Sequence, residues 1–95
     1  MRLSEIEDHL KNFRVGIAGA GGLGSNCAAA LARTGIGTIV IADFDRVEQS
    51  NLSRQYYFSG QTGMMKTEAL KENLVRIRPE IQILTCQVKL DRGNI

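Results

Sequence analysis

Apolar residues in this chain fall into three short strand-like runs separated by stretches with helical spacing. Val15-Gly16-Ile17-Ala18 predicts a strand over 14–18. Thr38-Ile39-Val40-Ile41-Ala42 is β-branched and apolar throughout, the pattern of a buried parallel strand. A third run predicts a strand over 81–88. Between the first two, Ala28, Ala29, Ala30 and Ala32 belong to a helix that Gly24 opens and that runs to about residue 33, its small side chains letting it lie close to a sheet. Gly35 and Gly37 end it. Ala69, Leu70, Leu74 and Ile77 share one face of a second helix over 64–77, which Pro79 stops. Ahead of all this, Ser4 and Glu7 have capping-box spacing, and Ile6, Leu10 and Phe13 recur at helical intervals. They predict a short amphipathic helix over 5–12. Residues 48–63 are polar and irregular and read as a long, functional loop.

The order strand, helix, strand, loop, helix, strand is a right-handed βαβαβ unit. The expected fold class is α/β: a Rossmann-like, three-layer architecture of which residues 14–95 form the N-terminal βαβαβ half of a doubly wound, mostly parallel sheet, with 1–13 as a leading helix. In such a sheet the first strand is central and pairs with a fourth. Here it would be an apolar edge, which proteins normally avoid. We therefore expect residues 1–95 to be one half of a single domain, and the isolated chain to pair its first strand with another copy or to swap elements.

Charge and composition narrow the function. A formal net charge of +2 is too small to argue for nucleic acid or an anionic membrane. No apolar run approaches the ~20 residues that span a bilayer, and the charged stretch from Met1 to Lys11 does not read as a secretory signal. A single His leaves a His-based metal site nothing to build on. Cys27 and Cys86 lie far apart in unlike contexts and read as reduced, buried thiols of a cytoplasmic protein.

Two stretches carry chemistry. The first is Gly19-Ala20-Gly21-Gly22-Leu23-Gly24, between a predicted strand and a predicted helix. Gly19 permits the turn, Gly21 bares the backbone where a phosphate approaches, and Gly24 allows close helix–strand packing. The helix start then presents free N–H groups to an anion, with Gly22 adding a bare backbone donor and Ser25 a hydroxyl. Asp43, roughly 20 residues further on at the end of the second strand, stands where a carboxylate accepts from ribose hydroxyls. The chain lacks the Gly-Lys-Ser/Thr ending of a Walker A loop. The second stretch, with Asp45, Ser50, Asn51, Leu52, Ser53, Arg54 and Gln55, is followed by Lys66. A dinucleotide-binding oxidoreductase has no use for this cluster. Arg54 and Lys66 suit a triphosphate, and Asn51 and Gln55 would orient phosphate oxygens or a leaving group.

The region from Arg14 to about Pro79 closely resembles the ubiquitin-activating-enzyme-like adenylyltransferases, the ThiF/MoeB/HesA family. The resemblance rests on Gly19 to Gly24, on the string from Asp43 to Gln55, and on Gly63-Met64-Met65-Lys66; Asn73 to Pro79 also looks like the family's run into its third strand. Within the family the chain is most similar to short ThiF-type proteins of thiamine biosynthesis. The resemblance implies ATP-dependent adenylation of a ubiquitin-like sulfur-carrier protein ending in Gly-Gly, by an enzyme acting as a homodimer. It implies that Gly22 contacts ATP through its backbone, that Asp43 holds the ribose, that Ser50 to Arg54 contact ATP, and that Arg54 and Lys66 face the phosphates, with Gln55 completing the cluster. The family's Mg²⁺-associated Asp is expected beyond residue 95. The string Arg-Tyr-x-Arg-Gln that many members carry near the N-terminus has no match here. Two competing readings are an NAD-binding Rossmann oxidoreductase domain and a non-catalytic module that only binds a ubiquitin-like protein. Tyr56, Tyr57 and Phe58 would form either an aromatic wall near the ligand or local loop packing. Arg76 and Arg78 read as a solvated face near a helix end.

Overall fold

The computed structural model describes Leu10 and residues 12–87. Three strands, β1 (Arg14–Ala18), β2 (Thr38–Ala42) and β3 (Gln82–Cys86), form one parallel sheet in the order β1-β2-β3. The register sets Ile17 beside Ile41, and Ile41 beside Thr85. Two crossover helices, α1 (Gly22–Thr34) and α2 (Lys66–Ile77), pack against each other and against one face of the sheet. This is the Rossmann-like α/β arrangement expected from the order of elements.

Period-two alternation explains which face is covered. Ile39, Ile41 and Ile83 are buried against the helices, with Val15 and Ile17 packed onto the same cluster. Their neighbours Arg14, Gly16, Ala18, Leu84 and Cys86 turn to the opposite face and are exposed. On β2 the residues of that face, Thr38, Val40 and Ala42, are half-buried, so β2 is fully buried on one face only. From α1 the core takes Ala28, Ala29 and Ala32; from α2 it takes Ala69, Leu70 and Leu74. Burying a leucine such as Leu70 or Leu74 contributes about 2 kcal/mol each.

Several boundaries shift for local reasons. α1 begins at Gly22, two positions before the expected opening at Gly24, because the turn already has helical form there. It ends on Gly35 at φ 101°, a left-handed cap that glycine adopts without strain. α2 begins at Lys66 rather than residue 64, since Met65 is extended and bridges Arg46. Pro79 holds Arg78 extended and so stops α2 at Ile77. Of the leading helix expected over 5–12, only Leu10 and Asn12 lie within the described residues; Leu10 is helical and half-buried against the core.

Three expectations are corrected. Cys27 and Cys86 are exposed free thiols, not buried ones. Cys27 follows a helix face whose buried positions are Ser25, Ala28, Ala29 and Ala32, and Cys86 alternates onto the outer face of β3. Arg78 is not merely solvated: its Nε donates to the Ala32 carbonyl at 2.9 Å and its Nη1 pairs with Glu80 at 3.1 Å. It thereby satisfies a carbonyl at the C-terminus of α1, where a cation is favoured. Arg76 is exposed and 3.9 Å from Glu72 one turn earlier. Among the described residues no helix is long and apolar enough to cross a membrane.

Candidate functional site

The two sequence stretches meet at the start of α1. Gly19 leaves β1 at φ 95° and donates its N–H to the Ala42 carbonyl at 2.8 Å, which swings the turn across the end of β2. A side chain at Gly24 would overlap the Gly19 carbonyl oxygen and approach Ile17 Cγ2 to 3.3 Å, so the fold itself demands glycine there. Gly21 differs. Its φ is −82°, outside the left-handed region that favours glycine, and a Cβ there would meet nothing within 4 Å. No protein atom explains a glycine at that position, and the open space beside it suits a group brought from outside.

Gly21 caps α1 without a side-chain hydrogen bond, and the first turn holds no acidic residue. The unsatisfied N–H groups and positive end of the helix are therefore not neutralised by the helix itself. Asp43 braces this turn. It is 8% exposed; its Oδ2 accepts the Ala20 N–H at 2.6 Å and its Oδ1 the Asp45 N–H at 2.7 Å. Each oxygen keeps a further lone pair.

Residues 45–66 form a loop closed at its neck. Gly63 N–H donates to the Val47 carbonyl at 2.9 Å, Val47 N–H to Met64 at 2.8 Å, and Lys66 N–H to Asp45 at 2.8 Å, with Val47 buried as the plug. Within it, Gln49–Asn51 and Ser59–Gln61 are single 3₁₀ turns. Asn51 is buried and its Oδ1 accepts the Glu48 N–H at 2.8 Å, so part of this side chain holds the turn. Leu52 packs against the core, while Asp45, Ser50, Ser53 and Arg54 are exposed. Gln55 is half-buried, and its Oε1 is buried with no hydrogen-bond partner among the described residues.

The loop folds onto α1 through three contacts. Asn26 Nδ2 donates to the Arg54 carbonyl at 2.9 Å, Tyr56 N–H donates to Ser25 Oγ at 3.0 Å, and the Tyr57 hydroxyl donates to the Ala20 carbonyl at 2.6 Å. Ser25 is not at the open mouth of the turn: it is fully buried, and its oxygen accepts from the loop. Burial and the nearby Asp43 charge push the Tyr57 phenol far above its ordinary ionisation range. Tyr57 is core packing rather than an aromatic wall, and Tyr56 and Phe58 stack edge to face at 5.9 Å.

The loop is also pinned from below. Gln61 and Asn73 exchange both amide hydrogen bonds, at 2.6 and 3.0 Å, and Asn73 Nδ2 also donates to the Tyr56 carbonyl at 2.9 Å. Sequence reading missed this pair, as it missed the clamping roles of Tyr57 and Asn26. Asn73 had a signal: a polar residue on the apolar face of a helix needs a buried partner. Gln61 had none. Lys66 is buried at the start of α2, and neither its ammonium nor the Arg54 guanidinium bonds another described residue. A helix start without an acidic residue, beside the segment that carries these two cations, fits a polyphosphate. Among the described residues no group of three or more His, Cys, Asp or Glu side chains is arranged to hold a metal ion.

Comparison with known proteins agrees with this geometry. The ThiF family model matches residues 4–95. The chain is 43% identical over 86 residues to the adenylyltransferase and sulfurtransferase UBA4 of Saccharomyces cerevisiae, covering 90% of this chain and 20% of that protein. It is 36% identical over 84 residues to ubiquitin-like modifier-activating enzyme 5 of Caenorhabditis briggsae, covering 86% and 19%. The structure superposes with a TM-score of 0.89 on E. coli tRNA N6-threonylcarbamoyladenosine dehydratase, TcdA, in complex with ATP, at 32% identity, covering 95% of this chain and 37% of that one. The chain thus spans about a fifth of the length of these curated relatives.

Proposed function

The chain belongs to the ThiF family, and from that premise we propose that the whole protein uses ATP to adenylate the C-terminal carboxylate of a small ubiquitin-like sulfur-carrier protein. The observation that carries the reading is the uncapped start of α1 lying under the Arg54-bearing loop, tied there by the Asn26–Arg54 hydrogen bond. The names of the relatives, one an adenylyltransferase and sulfurtransferase and one a ubiquitin-like modifier-activating enzyme, support the same class of chemistry.

In this reading the bare N–H groups of Gly21 and Gly22 receive phosphate oxygens, with Gly19 and Gly24 shaping the turn that exposes them. The spare lone pairs of Asp43 accept from the ribose. The segment from Ser50 through Leu52 and Ser53 to Arg54 borders the nucleotide, with Asp45 at its entrance. Arg54 and Lys66 neutralise the triphosphate and the pyrophosphate that departs. Asn51, whose Oδ1 is engaged, and Gln55 orient oxygens through their amide N–H groups. A carboxylate oxygen of the carrier attacks the α-phosphorus, the bond to the β-phosphate oxygen breaks, and pyrophosphate leaves, giving an acyl adenylate for later attack by sulfur. No side-chain nucleophile is required; the protein supplies position and charge. Mg²⁺ enters with ATP as part of the substrate. We take the carrier to end in Gly-Gly and to be of the thiamine-biosynthesis type, the enzyme to be a homodimer, and its place to be the cytoplasm.

The test is carrier-dependent ATP–pyrophosphate exchange by the whole protein, with Arg54→Ala as control. Exchange that Arg54→Ala reduces at least about 100-fold, the scale of one lost transition-state contact, supports the reading. Absence of exchange together with tight NAD binding overturns it in favour of an oxidoreductase domain.

A further inference from the structure

The Ala20 peptides are held from both sides. The N–H of Ala20 is taken by Asp43 at the end of β2, and its carbonyl is taken at 2.6 Å by the hydroxyl of Tyr57, a residue of the Arg54-bearing loop. Both Ala20 and Tyr57 are buried, so this hydrogen bond lies inside the fold. The carbonyl of Ala20 and the N–H of Gly21 belong to one planar trans peptide and point in opposite directions. A carbonyl drawn inward by Tyr57 therefore leaves the Gly21 N–H directed away from the core. That is the residue beside which a Cβ would meet no protein atom.

We propose that Tyr57 is a positioning residue of the nucleotide site: by holding the Ala20 carbonyl it aims the Gly21 N–H at a phosphate of the bound nucleotide. The inference rests on the nucleotide reading above and deepens it. Arg54 lies in the same loop, so the same hydroxyl also ties the backbone donor to the segment that carries this cation. Its oxygen is 3.5 Å from the Lys66 carbonyl as well, at the root of the second cation. Burial keeps the phenol protonated, and hence a donor, across the neutral range. Phenylalanine at this position would fill the same space and leave a buried carbonyl unpaired, free to turn its peptide.

The experiment compares the full chain with Tyr57→Phe. Affinities for ATP and for adenosine are measured by calorimetry, and the Gly21 amide is followed by NMR without ligand and during titration with pyrophosphate. The expected result is about five-fold weaker ATP binding, the scale of one hydrogen bond, with adenosine affinity unchanged. The Gly21 amide signal moves in the free variant and responds less to pyrophosphate. Unchanged ATP affinity, equal weakening of ATP and adenosine, or an unmoved Gly21 amide overturns the proposal. Collapse of the amide dispersion in the variant also counts against it, since the hydroxyl would then serve stability alone. If the unsubstituted chain binds neither ATP nor pyrophosphate, the nucleotide reading itself falls, which separates the two failures.

Discussion

The glycine turn and the loop over 45–66 border the same site but are held by opposite means. The turn is shaped by what is missing: at Gly19 and Gly24 a side chain would be strained or would overlap backbone only a few residues away. The loop is shaped by what is present. Asn51, Gln61, Asn73, Ser25 and Tyr57 each spend a buried polar atom on a backbone or amide partner. The difference teaches where each region is vulnerable. The turn fails by crowding, whereas the loop fails when a buried donor or acceptor loses its partner.

Substitutions sharpen that contrast. The largest effect belongs to Gly24→Ala, which drives a methyl into the Gly19 carbonyl. It should cost about 3 kcal/mol or more, read as a fall in the urea midpoint. An unchanged midpoint would mean that the turn can relax and that crowding does not govern it. Next comes Asn73→Ala, which leaves Gln61 and the Tyr56 carbonyl short of a partner and should cost about 2 kcal/mol. Combining it with Gln61→Ala in a double-mutant cycle should return a coupling of about 1 kcal/mol; additive losses would dissolve the amide pair as a unit.

A pH effect follows from Tyr57. Its phenol ionises far above the ordinary value of 10.0 in the folded chain, because of burial first and the Asp43 charge second. Above pH 10 the unfolded chain releases this proton while the folded chain retains it, so stability falls as pH rises. Alkaline unfolding followed by circular dichroism should show that limb, and Tyr57→Phe should remove it. The smallest change in stability, within about 0.5 kcal/mol, is expected for Gly21→Ala, where a methyl meets open space. The same variant should lose phosphate-dependent ATP affinity. A large stability loss there, or intact ATP binding, would erase the distinction between the two glycines.

Much of the core was legible along the chain because it is written in local periodicity. The β-branched run at Thr38–Ala42 and the spacing of Ala69, Leu70 and Leu74 report their partners without knowing them. Edge and face were harder. Cys27 and Cys86 read as buried thiols, one just after the glycine turn and one inside an apolar strand, yet both are exposed. Ser25, Arg78 and Tyr57 were misread or left open because each is defined by an atom far away in sequence: the Tyr56 amide, the Ala32 carbonyl and the Ala20 carbonyl.

By itself, then, the sequence determined the element order, the parallel topology, the glycine turn and the residue types that gather at the start of α1, since these follow from spacing and from the stereochemistry of single residues. Only the tertiary structure decided which of those residues remain free to meet a ligand and which are consumed in holding the site together. The reason is that a polar side chain has the same letter whether it faces solvent or a buried carbonyl. Folding alone assigns its partner, as it does when Tyr57 turns a run of three aromatics into the clamp on Ala20.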